Sequence, residues 1–353
     1  MTLKESLNPR VNNITLLRLI LSSLVIVGHT YAINPSEPKV ILDVSYVAPF
    51  LSTGSFAVKV FFFLSGLLIV NSLNIRQSSV HYWSHRLMRI FPGLLFVLVL
   101  SSLLIGPFFT QSSLYDYFHD RATYRYIYKN VILIPRYNLP GVFLHNPHPN
   151  AVNGSLWSLT WEFKCYIATY LIYILSFKKY FRWIGTICFL ILILQVLFFN
   201  HFGLGELTWY PYYPLYYFFG GILALHAERI KLNYKLMGYL FLLMVSGYFL
   251  PLPFDSLFFM IFWCVFLLWF VTTKFAMNLE LKHDVSYGVY LWGFVVQQSL
   301  HSLFPNWGSY LHMTVALIIS IAMGIISWFL VEKPCMSLAK RISNLSLSKA
   351  IPF

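Results

Sequence analysis

RLILSSLVIVGHT, residues Arg18 to Thr30, sets an arginine and a histidine inside an apolar run of membrane length. A helix advances about 1.5 Å and 100° per residue, so positions eleven apart share a face and stand roughly 16 Å apart along the axis. Arg18 and His29 therefore look into one space, which a plain membrane anchor does not require.

The surrounding composition fixes the solvent. Hydrophobic residues make up 58% of the chain and charged residues 10%, against roughly 25% charged in an ordinary soluble domain. The mean hydropathy is +0.67. Ten apolar runs approach the roughly 20 residues that cross a bilayer: 14–33, 53–73, 86–109, 156–177, 183–202, 211–228, 235–250, 256–273, 285–304 and 311–331. The expected fold class is all-α, a polytopic integral membrane protein with about ten transmembrane helices. Residues 1–353 read as a single transmembrane domain with a long outer loop at about 110–155 and no appended soluble domain. The polar start MTLKESLNPRVNN precedes a run too long for a signal-peptide core, so the first run is expected to stay as a helix.

Orientation follows from Lys and Arg in the connections. One set holds Lys4, Arg10, Arg76, Arg86, Arg89, Lys178, Lys179, Arg182, Arg229, Lys231, Lys235, Lys274, Lys282, Lys333, Lys340, Arg341 and Lys349. The other holds Lys39 and, in the long loop, Arg121, Arg125, Lys129 and Arg136. Both termini are thus expected in the cytoplasm. The net charge of +13 falls in short clusters between apolar runs and not on one face, which argues against nucleic-acid binding. Cys165, Cys188, Cys264 and Cys335 are widely spaced singles, so neither a disulfide nor a metal site is expected. The sequons at Asn13, Asn153 and Asn344 read as chance. The loop SSLYDYFHDRATYRYIYKNVILIPRYNLPGVFLHNPHPNAVNGS suits a structured lip, either flooring a site for a polar acceptor or serving as an aromatic belt.

Ionisable groups inside membrane helices are costly and mark candidate function. Arg18, His29, Lys59, Arg86, Arg89, Glu162 and Lys164 qualify here. For Arg18 the rival reading is a snorkelling side chain, and for His29 an interhelical hydrogen bond. SHRLMRIFP sets Arg86 and Arg89 three apart at the start of a helix, where two guanidiniums can grip phosphate oxygens, although positive-inside topology also places arginines there. VKVFFFLSGLLI carries Ser65 and Gly66, read first as packing residues, and Lys59, which either snorkels or neutralises Glu162. NGSLWSLTWEFKCY clusters Trp157, Ser158, Trp161 and Glu162 where a helix leaves the outer surface. A carboxylate beside His29 would fix its tautomer and support a general base, so Glu162 is expected to orient it.

The motifs R-x10-H, FFFLSG, RLMRIFP, SLWSLTWEFKCY, SYGVYLW at 286–292 and FLVEKP at 329–334, taken in order along nearly the whole chain, resemble the membrane acyltransferase-3 family. The chain is similar to the single-module O-acetyltransferases that modify O-antigen or exopolysaccharide. The resemblance implies an enzyme that moves an acetyl or other short acyl group from acyl-CoA, a co-substrate and not a resident cofactor, to a carbohydrate hydroxyl. Lipopolysaccharide O-antigen, exopolysaccharide or a lipid-linked glycan would be the partner, and the bacterial inner membrane the location. It makes His29 the essential histidine and Arg18 its basic partner, with Arg86 and Arg89 at the donor and Glu162 in the acidic position. Trp157, Ser158, Ser65, Lys59 and Tyr287 are candidates for the acceptor or oxyanion site. Two positions depart from the pattern: Thr15 where many members have aspartate, and Gly293 where many have histidine. A transporter or flippase for a lipid-linked glycan or acyl donor is the alternative, since it too wants a basic inner mouth and an aromatic lip.

Overall fold

A computed structural model of the chain describes residues 1–35, 43–46, 48, 51–201, 212–250, 254–279 and 281–348. Lys39 and Lys349 and the connections at 202–211 and 251–253, which entered the orientation reading, lie outside the described residues. Among the described residues there is no β-strand; isolated bridges join Thr2 to Lys231 and Thr110 to Val142.

Each apolar run carries a helix: α1 (Ile14–Ile33), α2 (Thr53–Arg76), α3 (Ser79–Leu100), α4 (Trp157–Leu175), α5 (Phe181–His201), α6 (Tyr212–Leu225), α7 (Tyr234–Gly247), α8 (Phe254–Phe270), α9 (Ser286–Leu303) and α10 (Ser309–Ser327). A π-helical turn, Ser101–Ile105, carries α3 on to Gly106–Phe109, and another, Trp328–Glu332, carries α10 into Lys333–Ser348. Among the described residues four helices, Ile14–Ile33, Thr53–Arg76, Ser79–Phe109 and Ser309–Leu345, are long and apolar enough to cross a membrane. The start of α3 lies at Ser79 and not at 86, because the Ser78 hydroxyl accepts from the His81 N–H and caps the helix earlier. Arg86 and Arg89 therefore sit inside α3.

Two compact units can be distinguished. The first comprises Met1–Leu21, Val44–Gln77 and Trp161–His283. Its closest helix pair is α2 with α6. A Cβ on Gly66 would stand 1.9 Å from the Tyr217 carbonyl oxygen, and one on Gly220 2.2 Å from that of Phe63. Small residues let backbones approach in this way where lipid offers no hydrophobic drive for association. The N-terminal residues strap the same unit: Leu3 N–H donates to Ile230 O at 2.8 Å and Leu232 N–H to Met1 O at 2.9 Å. Asn13, one of the sequons, is buried with its side-chain amide donating to Ala276 O at 2.8 Å.

The second unit comprises Ser22–Asp43, Ser78–Thr160 and Asp284–Phe353. Its axis is α9, buried at every residue from Ser286 to Gln298. The long loop is folded, as the sequence led us to expect. It forms helices Leu114–His119 and Arg121–Val131, and the fully buried Tyr117 donates its hydroxyl to Ser102 O at 2.7 Å, inside the π-turn of α3. Burial pushes the Tyr117 phenol up to about 12.

Gly66→Ala should lose most folded protein, read as aggregation on size-exclusion chromatography in detergent, because the clash is with backbone. Gly238→Ala is the control: no atom lies within 4 Å of a Cβ there, and its elution should match wild type.

Candidate functional site

α1 is one unbroken helix, so the eleven-residue spacing of Arg18 and His29 holds. Arg18 is half-buried in the first unit. His29 is half-buried in the second unit, where α9 clamps the turn that carries it. The fully buried Gln297 donates Nε2 to Ile26 O at 2.9 Å and to Thr30 Oγ1 at 3.2 Å, bracketing His29. One turn earlier the Phe294 ring meets the imidazole edge-on, centroids 5.1 Å apart at 77°. The close approach needs Gly293, where a Cβ would fall 2.7 Å from Ile26 Cγ1. The departure from the family pattern at Gly293 thus has a packing reason in this chain. His29 Nδ1 is buried and has no hydrogen-bond partner among the described residues.

The end of the long loop forms a wall beside Phe294. Asn146 Nδ2 donates to Gln298 Oε1 at 2.8 Å, and Gln298 Nε2 donates to His148 O and Ala151 O, both at 2.7 Å. Asn153 Nδ2 then reaches Leu291 O at 2.9 Å, and the Tyr290 hydroxyl donates to Ser155 O at 2.9 Å. Ser158 Oγ and the same hydroxyl are hydrogen-bonded at 2.6 Å. From the level of Gln298 to that of Tyr290 the strand of loop follows α9 for roughly 12 Å. Non-helical backbone is tolerated in apolar surroundings only where the protein satisfies it, and these Asn, Gln, Ser and Tyr side chains do so. The start of α4 therefore packs against α9 at the level of Tyr290. Trp157 is half-buried there, and Ser158 lies a turn from the level of His29's contact with Phe294.

In the first unit Glu162 Oε1 accepts the Ser65 hydroxyl and, at 2.6 Å, the Tyr166 hydroxyl. Ser65, read first as a packing residue, is thus a carboxylate ligand, while Gly66 does the packing. Lys59 is not paired with Glu162 but lies over the Tyr216 ring, 5.7 Å from its centroid. The exposed Lys164 covers Trp161 at 4.2 Å. The expected orienting partner of His29 thus has a local hydroxyl shell of its own.

The two α3 arginines are divided. Arg89 Nη2 contacts Asp284 Oδ2 at 2.9 Å and Nη1 contacts Glu332 Oε2 at 3.3 Å. Its guanidinium lies over the Tyr287 ring at 5.5 Å and Trp328 at 6.0 Å. Tyr287, counted with the acceptor candidates, belongs to this cluster and donates its hydroxyl to Ile90 O at 2.8 Å. Glu332 is fully buried at the end of the π-turn, its Oε1 accepting from Ser327 at 2.9 Å. Arg86, by contrast, has a buried Nε with no hydrogen-bond partner among the described residues. The sequence reading missed Asp284, Gln297, Gln298 and His148. Two adjacent amides inside an apolar run were a legible signal; one histidine among the three of a loop was not.

The family model for an acyltransferase domain of the acyltransferase-3 type matches residues 11–332. A protein of Shigella phage Sf6 named O-acetyl transferase is 28% identical over 329 residues, covering 90% of this chain and 93% of that protein. No solved structure matches the chain.

Breaking a buried ion pair costs up to about 3–5 kcal/mol when a charge is left uncompensated, and less here because Arg89 keeps one carboxylate when the other is removed. Glu332→Ala should therefore lower the melting midpoint in detergent by several degrees. Asp284→Ala should lower it less, because that carboxylate is 20% exposed and Glu332 is not exposed at all.

Proposed function

The chain belongs to the acyltransferase-3 family, and we propose that it carries an acetyl or other short acyl group from cytoplasmic acyl-CoA to a hydroxyl of a cell-surface or lipid-linked carbohydrate on the outer side. The protein is an integral membrane acyltransferase; its placement in the bacterial inner membrane, with ten spans and both termini cytoplasmic, is part of this proposal. What carries it is the clamped turn of α1: a half-buried imidazole beside Gln297 and Phe294, with its Nδ1 left without a hydrogen-bond partner among the described residues. The relative named O-acetyl transferase supports oxygen as the acceptor atom.

Arg18 and Arg86 are assigned to the donor's phosphates, with Arg89 beside Arg86 as an anchored charge. The thin pantetheine arm then spans the roughly 16 Å from Arg18 to His29. The imidazole takes the proton of the sugar hydroxyl as its oxygen attacks the thioester carbonyl, and returns that proton to the departing thiolate. Atoms and charge balance without any further reactant. A covalent acyl-imidazole formed first and then transferred is the variant of the same chemistry. Glu162, with Ser65 and Tyr166 around it, is the carboxylate assigned to the developing imidazolium. Ser158 and Trp157 are the candidate stabilisers of the oxyanion.

General-base loss costs about 10²–10⁴ in rate. His29→Ala, expressed at matched membrane levels in cells lacking the chromosomal copy, should abolish the O-acyl signals that wild type gives in proton NMR of the surface glycan. Equal signals from both strains would remove His29 from the chemistry.

A further inference from the structure

The segment Phe143–Asn150, FLHNPHPN, is built more rigidly than an exposed loop tip requires. The Asn150 N–H donates back to Phe143 O at 3.3 Å and closes the loop. Phe143 and Asn150 both adopt left-handed backbone, at φ 53° and 61°, and for a bulky residue such as Phe143 this conformation is costly. His148 stands between Pro147 and Pro149, which fix their own φ, and Pro149 restricts the backbone of His148 before it. Its carbonyl is pinned by Gln298, whose side chain is fully buried and also holds Ala151 O and Asn146. All of this order ends in a side chain that is exposed.

That side chain is aimed at one place. The His148 ring meets Phe294 edge-on, centroids 5.6 Å apart at 73°. His29 meets the same ring at 5.1 Å and 77°. Gly154 closes the arrangement, since a Cβ there would fall 2.6 Å from Phe294 Cε2. The phenyl ring is buried, so it is a fixed contact shared by a half-buried imidazole and an exposed one. Because the transfer returns its proton to the thiolate, His29 needs no outward proton path, and a relay does not account for His148. Recognition does. An exposed imidazole is both donor and acceptor, and one held in place before binding loses little entropy when it engages a ligand.

We propose that His148 binds the acceptor saccharide, hydrogen-bonding a ring hydroxyl so that a neighbouring hydroxyl is presented to His29. This deepens the acyl-transfer reading and rests on it. The test uses the full chain in lipid nanodiscs, acetyl-CoA, and chemically de-O-acetylated surface polysaccharide from the cells that carry the protein. His148→Ala should raise the polysaccharide KM about tenfold while kcat and the KM for acetyl-CoA move less than twofold. His148→Gln, which keeps a hydrogen-bonding side chain, should recover to within about threefold of wild type. An unchanged polysaccharide KM, or a fall in kcat with no change in KM, would overturn the assignment of His148 while leaving the transfer reading in place. A wild-type protein that moves no acetyl group from acetyl-CoA would overturn both together. Melting midpoints of the variants matching wild type show that a change in KM is not lost fold.

Discussion

A polar group carried into apolar surroundings has to find its partner inside the protein, and much of this structure can be derived from that constraint. The amides of α9 show it most directly. Gln297 spends its side-chain donor on the α1 turn that holds His29, and Gln298 spends its own on two loop carbonyls. Neither residue could sit in a membrane-length run without those partners. Because Ile26 O, His148 O and Ala151 O are backbone atoms, the two amides fix the path of the chain around the Phe294 ring and not merely the rotamers of neighbours.

The same constraint sorts the charges. Arg89 lies between two carboxylates and over two aromatic rings, with Glu332 fully enclosed and given its remaining hydrogen bond by Ser327. Such a triad is an expensive way to gain stability, since desolvation offsets most of the attraction. It is a good way to fix one arrangement of the π-turn, because the fully enclosed Glu332 carboxylate would otherwise be a buried charge without the Arg89 guanidinium. π-turns interrupt the regular ladder and concentrate at functional positions. Here one delivers Glu332 to Arg89, and the other lets Ser102 accept from Tyr117 of the folded loop.

Each unit therefore has an organising polar centre: the hydroxyl-ligated carboxylate of Glu162 in the first, and the α9 amides with the Arg89 triad in the second. Glycines set how closely the surrounding helices approach. Gly66 and Gly220 do so for α2 and α6, Gly293 for α1 against α9. The acyl-transfer reading draws its catalytic residue from a position where packing and polar satisfaction meet, since Gly293, Phe294 and Gln297 are consecutive contacts of one turn of α1.

What the sequence determined by itself was what composition and period can carry. Ten apolar runs became helices, the all-α class followed, and the cost of charge in hydrocarbon singled out Arg18, His29, Arg86, Arg89 and Glu162. Motif order named the family, because those residue types at those spacings are rare together. The tertiary structure decided who meets whom. Asp284 and Glu332 come to Arg89 from chain segments about two hundred residues away, and no periodicity encodes that meeting. It also set the start of α4 beside Tyr290, a meeting not legible beforehand because loop backbone satisfied by side chains reads in sequence like any polar loop. His148 was not singled out among the histidines of that loop because the meaning of an imidazole lies in the ring it touches, and only the fold brings His148 and His29 to the same Phe294 ring.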